Sequence, residues 1–396
     1  MNIMLQNHTF LPRLGGIENY LYYVAKTLKG KGHHPVILCE KHDSRLPSFE
    51  KYNGIKILRH PYYKVPKRLL FIKPKIVSRQ VKNFISKHVE GIDLVISRYP
   101  HYCFSTNELD LDIPIFYIPP SVFWKQLNKA SSHLSLKSKF FNLIWKKSLD
   151  DMERESILRS NKTIVFSRNN AESLAQYYML EDSSFQIFPP GVDVNRFYRT
   201  KNLELLEALD IDKKEIVLLC VGRLPPEKNV ERLIRELGKL GRKDVKLLIV
   251  GNGPEKGRLK RMSNALGLEK TVSFLGMRAD IERFYSIADI FISPSKYEPF
   301  GQVILEAMAA GLPCIAFKRI LPEYEVASEE IIESGVTGFC VNPYDKVEFR
   351  EKLAYLIDHP DVRRKMGESG RKVCETKFSW EHHVRRLLNL VDGQHS

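Results

Sequence analysis

The sequence predicts an α/β protein built from two doubly wound parallel sheets, and three observations carry that expectation. Short apolar runs alternate with segments of helical spacing, and after residue 190 the alternation starts again. Such a succession returns each strand parallel to the last and covers both faces of the sheet, so the strands read as unbroken apolar runs. At 396 residues the chain is also longer than one ordinary core sustains, and two domains follow.

In the first half, residues 3–5 form a short strand, a loop ends in Gly15 and Gly16, and residues 17–29 are helical. Residues 35–39, 93–97, 114–118 and 163–167 are further buried strands, the last leading into a helix over 170–178. Phe-Pro-Pro-Gly-Val-Asp at 188–193 is a turn-rich linker. Beyond it, residues 216–221, 246–250, 272–275, 290–293 and 314–317 are five strands separated by helical segments. The domains are therefore expected at 1–190 and 191–378. Residues 379–396 carry one more helix, with Trp380, Val384, Leu387, Leu388 and Val391 at helical spacing. Ligands of such sheets sit beyond the carboxyl ends of the strands, so the loops there carry the chemistry.

Composition narrows the class. The chain is 43% hydrophobic and 28% charged, with no uncharged apolar run long enough to span a membrane. Its start lacks a basic segment followed by an apolar one, so no secretory signal is expected. Six scattered cysteines, without a CxxC pair or a zinc-like spacing, read as reduced thiols of a cytoplasmic protein. The net charge of +15 is concentrated in the first 150 residues. Residues 51–89 hold eleven Lys and Arg without an acid, and residues 113–149 hold six more Lys. That excess suggests an anionic partner. No helix-turn-helix, RNP-like or zinc pattern supports nucleic acid.

Three constellations carry chemistry. The first runs from Ser293 to Gly311, Ser-Pro-Ser-Lys-Tyr-Glu-Pro-Phe-Gly-Gln-Val-Ile-Leu-Glu-Ala-Met-Ala-Ala-Gly. A strand ends at Ser293, a loop holds Glu298, and a helix from about Gly301 ends at Gly311. Free amides at that helix start suit an anion. Glu306 falls inside the helix on an apolar stretch, where a carboxylate needs a partner. The second is Gly222-Arg223-Leu224-Pro225-Pro226-Glu227-Lys228, a loop after a strand whose fork donor and point charge suit a diphosphate. The third is Gly251-Asn252-Gly253-Pro254, a turn where backbone could approach a nucleotide.

The order Gly-Gly, GR-x4-K, GNGP and E-P-F-G-x4-E-A-x-A-x-G-x-P resembles the retaining GT-B glycosyltransferases of the group 1 and family 4 type. That group includes sucrose synthases, mannosyltransferases and lipopolysaccharide glucosyltransferases. The likeness extends over nearly the whole chain and puts the ends of the family's E-x7-E element at Glu298 and Glu306. It implies two Rossmann-like domains facing a central cleft, the acceptor on the first and a nucleotide-diphosphate sugar on the second. It also implies that the last helix returns to the first domain.

By that resemblance Arg223 and Lys228 hold the pyrophosphate, and Glu298 orients hydroxyls of the donor sugar. Phe300, Gly301 and Gln302 lend backbone amides, Glu306 takes the ribose, and Met277 and Arg278 flank the base beside Gly251. Gly15 and Gly16 let their loop close over the phosphates. The expected catalytic residues are Glu298, Arg223 and Lys228, with a metal-independent, configuration-retaining transfer and no cofactor beyond the donor itself. No Asp-x-Asp follows a strand where a metal is expected. Many members carry a His after the fourth strand of the first domain; here the loop reads Ile118-Pro119-Pro120-Ser121-Val122, and His101 is the nearest alternative.

The expected donor is a UDP-hexose ahead of a GDP-hexose. The acceptor is expected to be a glycan, lipid-linked or otherwise anionic, as in polysaccharide biosynthesis. The basic first half, with aromatics at 62–71 and at Phe140, Phe141, Ile144 and Trp145, would meet the inner face of a membrane. The alternatives are a GT-B synthase or phosphorylase acting on a small soluble sugar or sugar phosphate, and a non-catalytic nucleotide-sugar-binding subunit.

Overall fold

The computed structural model describes residues 1–12, 15–63, 73–122, 136–200 and 202–393. The chain divides into two compact units, Met1–Pro190 with Trp380–Ser396, and Gly191–Ser379.

The first unit holds an eight-stranded sheet: β1 (Asn2–Gln6), β2 (His34–Lys41), β3 (Phe49–Tyr52), β4 (Ile55–Pro61), β5 (Leu94–Ser97), β6 (Ile115–Tyr117), β7 (Lys162–Val165) and β8 (Phe185–Ile187). Their order is β3-β4-β2-β1-β5-β6-β7-β8, and only β3 runs antiparallel to its neighbour. Three strands went unpredicted. β3 and β4 form an edge hairpin with one side in water, so polar residues interrupt the apolar run. β8 is only Phe-Gln-Ile. The first basic run therefore overlaps the sheet edge, and its Arg59 is buried and ion-paired with Glu50 at 2.5 Å. Of the aromatic and basic stretches, residues 64–72 and the side chains of Phe140, Phe141, Ile144 and Trp145 lie outside the described residues.

The helices Gly16–Gly30 and Trp380–Asp392 cover one face of this sheet. Ile3, Leu5, Ile37, Leu94 and Ile96 share a single core there with Leu21, Trp380, Val384 and Leu387. The tie is polar as well. His383 Nδ1 donates to Pro189 O at 2.9 Å, which leaves Nε2 to accept from the Tyr20 hydroxyl at 2.8 Å. Burial lowers the His383 pKa to about 3, so the ring is neutral.

The second unit holds six parallel strands: β9 (Ile216–Val221), β10 (Val245–Val250), β11 (Val272–Gly276), β12 (Ile290–Ser293), β14 (Cys314–Phe317) and β16 (Gly338–Val341). Their order is β11-β10-β9-β12-β14-β16. A separate parallel ribbon pairs β13 (Tyr297–Glu298) with β15 (Glu325–Val326). β16 also went unpredicted because it opens on Gly338. That glycine lets β16 pack close to β14, since a Cβ there would fall 2.1 Å from Cys314 O. Strand order reverses between β1 and β5 in the first unit and between β9 and β12 in the second, the two switch points where crevices open. Among the described residues no helix is long and apolar enough to cross a membrane.

Candidate functional site

The second unit gathers its chemistry at the β9/β12 switch point. β9 ends at Val221, and the loop Gly222 to Asn229 leads into the helix Val230–Leu240. Arg223 in that loop is exposed and makes no hydrogen bond or ion pair among the described residues. Lys228 lies five residues on, in a short 3-10 turn closed by Asn229 at φ 52°. β12 ends at Ser293, and the chain from it returns through Glu298. Gly222, Arg223 and Lys228 line one small recess with Ser293 and Ser295.

Glu298 belongs to β13 and not to a free loop, which corrects the sequence reading. It pairs in register with Val326, and its carbonyl accepts from Ala327 N at 3.1 Å. Lys296 N donates to Glu227 O at 2.8 Å, so the ribbon is anchored to the loop that carries Lys228. The result is an ion pair: Lys228 Nζ donates to Glu298 Oε2, with side-chain exposures of 20% and 15%. A sequence offers no signal for a two-residue strand, because its pairing partner lies elsewhere in the chain.

Gly301, at φ 116°, caps the helix Gln302–Ala309 without a side-chain hydrogen bond. The amides of Gln302 and Val303 have no partner inside the helix, whereas Ile304 N donates to Gly301 O at 2.9 Å. Gln302 Nε2 donates to Gly191 O at 3.1 Å. Glu306 was expected to need a partner, and the chain supplies one that the sequence reading missed. Tyr285 donates its hydroxyl to Glu306 Oε2 at 2.9 Å, and both are buried. Burial raises the Glu306 pKa to about 7 against the lowering effect of that hydrogen bond. Tyr285 sits on the buried side of the helix Ile281–Ile287 with Phe284 and Ile287, where a hydroxyl-tipped ring was the available clue.

Gly251 has a structural reason to be glycine. Its φ is 144°, and a Cβ there would lie 1.8 Å from Gly222 O. The backbone at this turn closely approaches the Arg223 loop. Gly222 N donates to Val250 O at 3.0 Å and Leu224 N to Asn252 O at 3.0 Å. The loops after β9 and β10 are thus laced together, which fixes where Arg223 stands. Met277 is 80% exposed, and Arg278 is held by Asp280 at 3.0 Å.

Gly15, Gly16 and His101 lie in the first unit, at the carboxyl ends of β1 and β5. Gly15 caps the helix Gly16–Gly30, where a Cβ would meet Glu18 Oε2 at 2.7 Å, whereas Gly16 has open space around it. His101 is buried and stacks on Tyr99 at 5.3 Å, and Tyr99 stacks in turn on His8 at 5.0 Å. Among the described residues no three His, Cys, Asp or Glu come together as metal ligands.

Comparison with known proteins covers both units. Residues 196–373 match the family model described as glycosyl transferases group 1. Residues 14–196 match that described as glycosyltransferase family 4. The mannosylfructose-phosphate synthase of Agrobacterium fabrum is 24% identical over 96% of this chain and 87% of its own. The alpha-monoglucosyldiacylglycerol synthase of Acholeplasma laidlawii is 23% identical over 99% of this chain and 98% of its own. Anabaena HepE, solved in complex with UDP, aligns over 99% of this chain and 100% of its own with a TM-score of 0.74 and 18% identity, a likeness of fold.

Proposed function

Because the chain belongs to the group 1 and family 4 glycosyltransferases, with the GT-B fold, we propose that it transfers a hexose from UDP to a hydroxyl acceptor with retention of configuration and without a metal ion. The observation that carries this reading is the Lys228–Glu298 pair beside Arg223 at the switch point of the second unit. In it a cation for the leaving group and a carboxylate for the sugar are held together by backbone.

The donor diphosphate lies against Arg223, Lys228 and the first amides of the helix Gln302–Ala309. As the bond from the sugar C1 to the β-phosphate oxygen breaks, its electron pair passes to the diphosphate. Fixed cations and amides aimed at that charge lower the barrier, and no metal is needed to supply it. Lys228 exchanges its carboxylate partner for phosphate, which frees Glu298 to accept from donor-sugar hydroxyls. The acceptor hydroxyl attacks on the face the diphosphate is leaving, and its proton goes to a departing phosphate oxygen. Phe300, Gly301 and Gln302 contribute amides, and Glu306 takes the ribose. Met277 and Arg278 border the base beside the Gly251 turn, and Gly15 and Gly16 allow the β1 loop to approach the phosphates.

UDP as the carrier is supported by the HepE complex. The Acholeplasma relative, whose name gives a diacylglycerol product, supports a lipid-linked acceptor and a protein working at the inner face of the membrane. A second reading has equal support: the Agrobacterium relative is named as the synthase of a sugar phosphate, which favours a small phosphorylated acceptor.

The test is turnover of UDP-glucose in the presence of EDTA, against extracted lipid and against hexose phosphates, with the product anomer read by NMR. An α-linked product formed with EDTA present is the expected result. A β-linked product, or activity that disappears with EDTA and returns with a divalent cation, overturns the mechanism.

A further inference from the structure

Arg98 is a buried cation that makes no ion pair among the described residues, with the Glu18 carboxylate as its nearest acid. It follows β5 directly, with its amide donating to Gln6 O at 2.9 Å, so it stands at the β1/β5 switch point of the first unit. The side chain is 2% exposed. Its guanidinium carbon lies 4.5 Å from the centre of the Tyr20 ring and 4.6 Å from that of Phe166. Those rings are themselves neighbours at 5.1 Å, so together they form a platform under the group. Nε and Nη1 are buried and have no hydrogen-bond partner among the described residues. The Glu18 carboxylate, close enough to act on Arg98, accepts from the Thr9 hydroxyl.

A ring face steadies a guanidinium but accepts none of its in-plane N–H groups. Buried donors left unmade are costly, and a buried charge without a partner more so. Arg98 persists at a strand end where ligands of such sheets bind, over Tyr20 of the helix whose N-cap Gly15 makes no side-chain hydrogen bond. We propose that Arg98 is the receptor for a phosphate group on a ligand of the first unit, and that this phosphate belongs to the acceptor. A flat fork on an aromatic platform presents paired donors edge-on, the geometry that two phosphate oxygens match. The assignment to the acceptor rests on the transfer reading above, whereas the anion site itself does not.

The test is calorimetric titration of the full chain with inorganic phosphate, with UDP present at saturation to occupy the diphosphate site. Wild type is expected to bind phosphate under those conditions, Arg98→Met to bind it at least tenfold more weakly, and Arg223→Ala to match wild type. Glucose 6-phosphate should bind to the UDP-loaded chain and glucose should not, with Arg98→Met removing the difference. Phosphate affinity within twofold of wild type in Arg98→Met, together with a lowered Tm, would make Arg98 a structural residue and overturn the site. Loss of phosphate binding on adding UDP would assign the anion to the donor and overturn the acceptor claim. If Arg98→Met does not fold, Arg98→Lys carries the test, because it keeps the charge and loses the fork; unchanged phosphate affinity there overturns the proposal. Absence of turnover with every acceptor would sink the transfer reading and leave the phosphate titration standing.

Discussion

Lys228 donates from Nζ to Glu298 Oε2 across a separation of 70 residues, and the pair sits between the loop after β9 and the ribbon strand β13. Neither side chain is fully buried, so each can leave the other when a better partner arrives. In the unliganded chain the pair neutralises itself. A bound diphosphate would draw Lys228 away and leave Glu298 facing hydroxyls.

Substitution Glu298→Gln should therefore lower kcat by about 100-fold or more while UDP affinity stays within a few-fold. Lys228→Ala should weaken both. Because the two residues touch, the double variant should be less impaired than the separate losses predict, with a coupling of about 1 kcal/mol or more. Kinetics on all four proteins of the cycle decide it, and simple additivity would separate the pair's roles.

Arg223 stands alone in solvent, so its removal leaves no orphan behind. Arg223→Ala should weaken UDP binding roughly tenfold, the value of one charge-assisted contact, without lowering Tm. A fall in Tm with UDP affinity retained would show a structural role instead.

Glu306 titrates from a raised position. Its folded pKa of about 7 exceeds the ordinary value of 4.5, so the folded state holds this proton more tightly than the unfolded one. The contribution is fully present below 4.5 and is lost as pH rises through 7, by up to about 3 kcal/mol. Glu306→Gln should lack that slope in urea unfolding between pH 5 and pH 8. If ribose hydroxyls donate to the carboxylate, UDP-glucose should also bind wild type more tightly above pH 7, and Glu306→Gln should bind it without that dependence.

Gly251→Ala places a methyl on Gly222 O in a backbone conformation that L-residues rarely adopt. The expected cost is about 3 kcal/mol. UDP affinity should fall with it, because the Arg223 loop is laced to this turn. Thermal unfolding with and without UDP measures both effects.

Leu387 is 1% exposed in the core shared by the helix Trp380–Asp392 and the first sheet. Leu387→Ala should cost the first unit about 2–5 kcal/mol. Urea unfolding followed by hydrogen exchange should show early opening of β1 and β5, with β9 and β10 protected as before.

The pattern of the chain determined the two parallel sheets, because buried strands are apolar on both faces and here alternate, as short runs, with segments of helical spacing. It also determined that Arg223 and Lys228 share a strand-end loop and that Glu306 lies in a helix, all local matters. The E-x7-E spacing gave the order of the two glutamates but not their environments. The β3–β4 hairpin was illegible because polar residues interrupt its apolar pattern, and the β13 ribbon because it is two residues long and its partner lies elsewhere in the chain. Only the tertiary structure decided that Glu298 meets Lys228, that Tyr285 meets Glu306, that Gly251 is small to admit Gly222, and that Arg98 is buried against Tyr20 and Phe166. Each of these is a meeting of residues far apart in the chain, and packing sets such meetings where sequence spacing cannot.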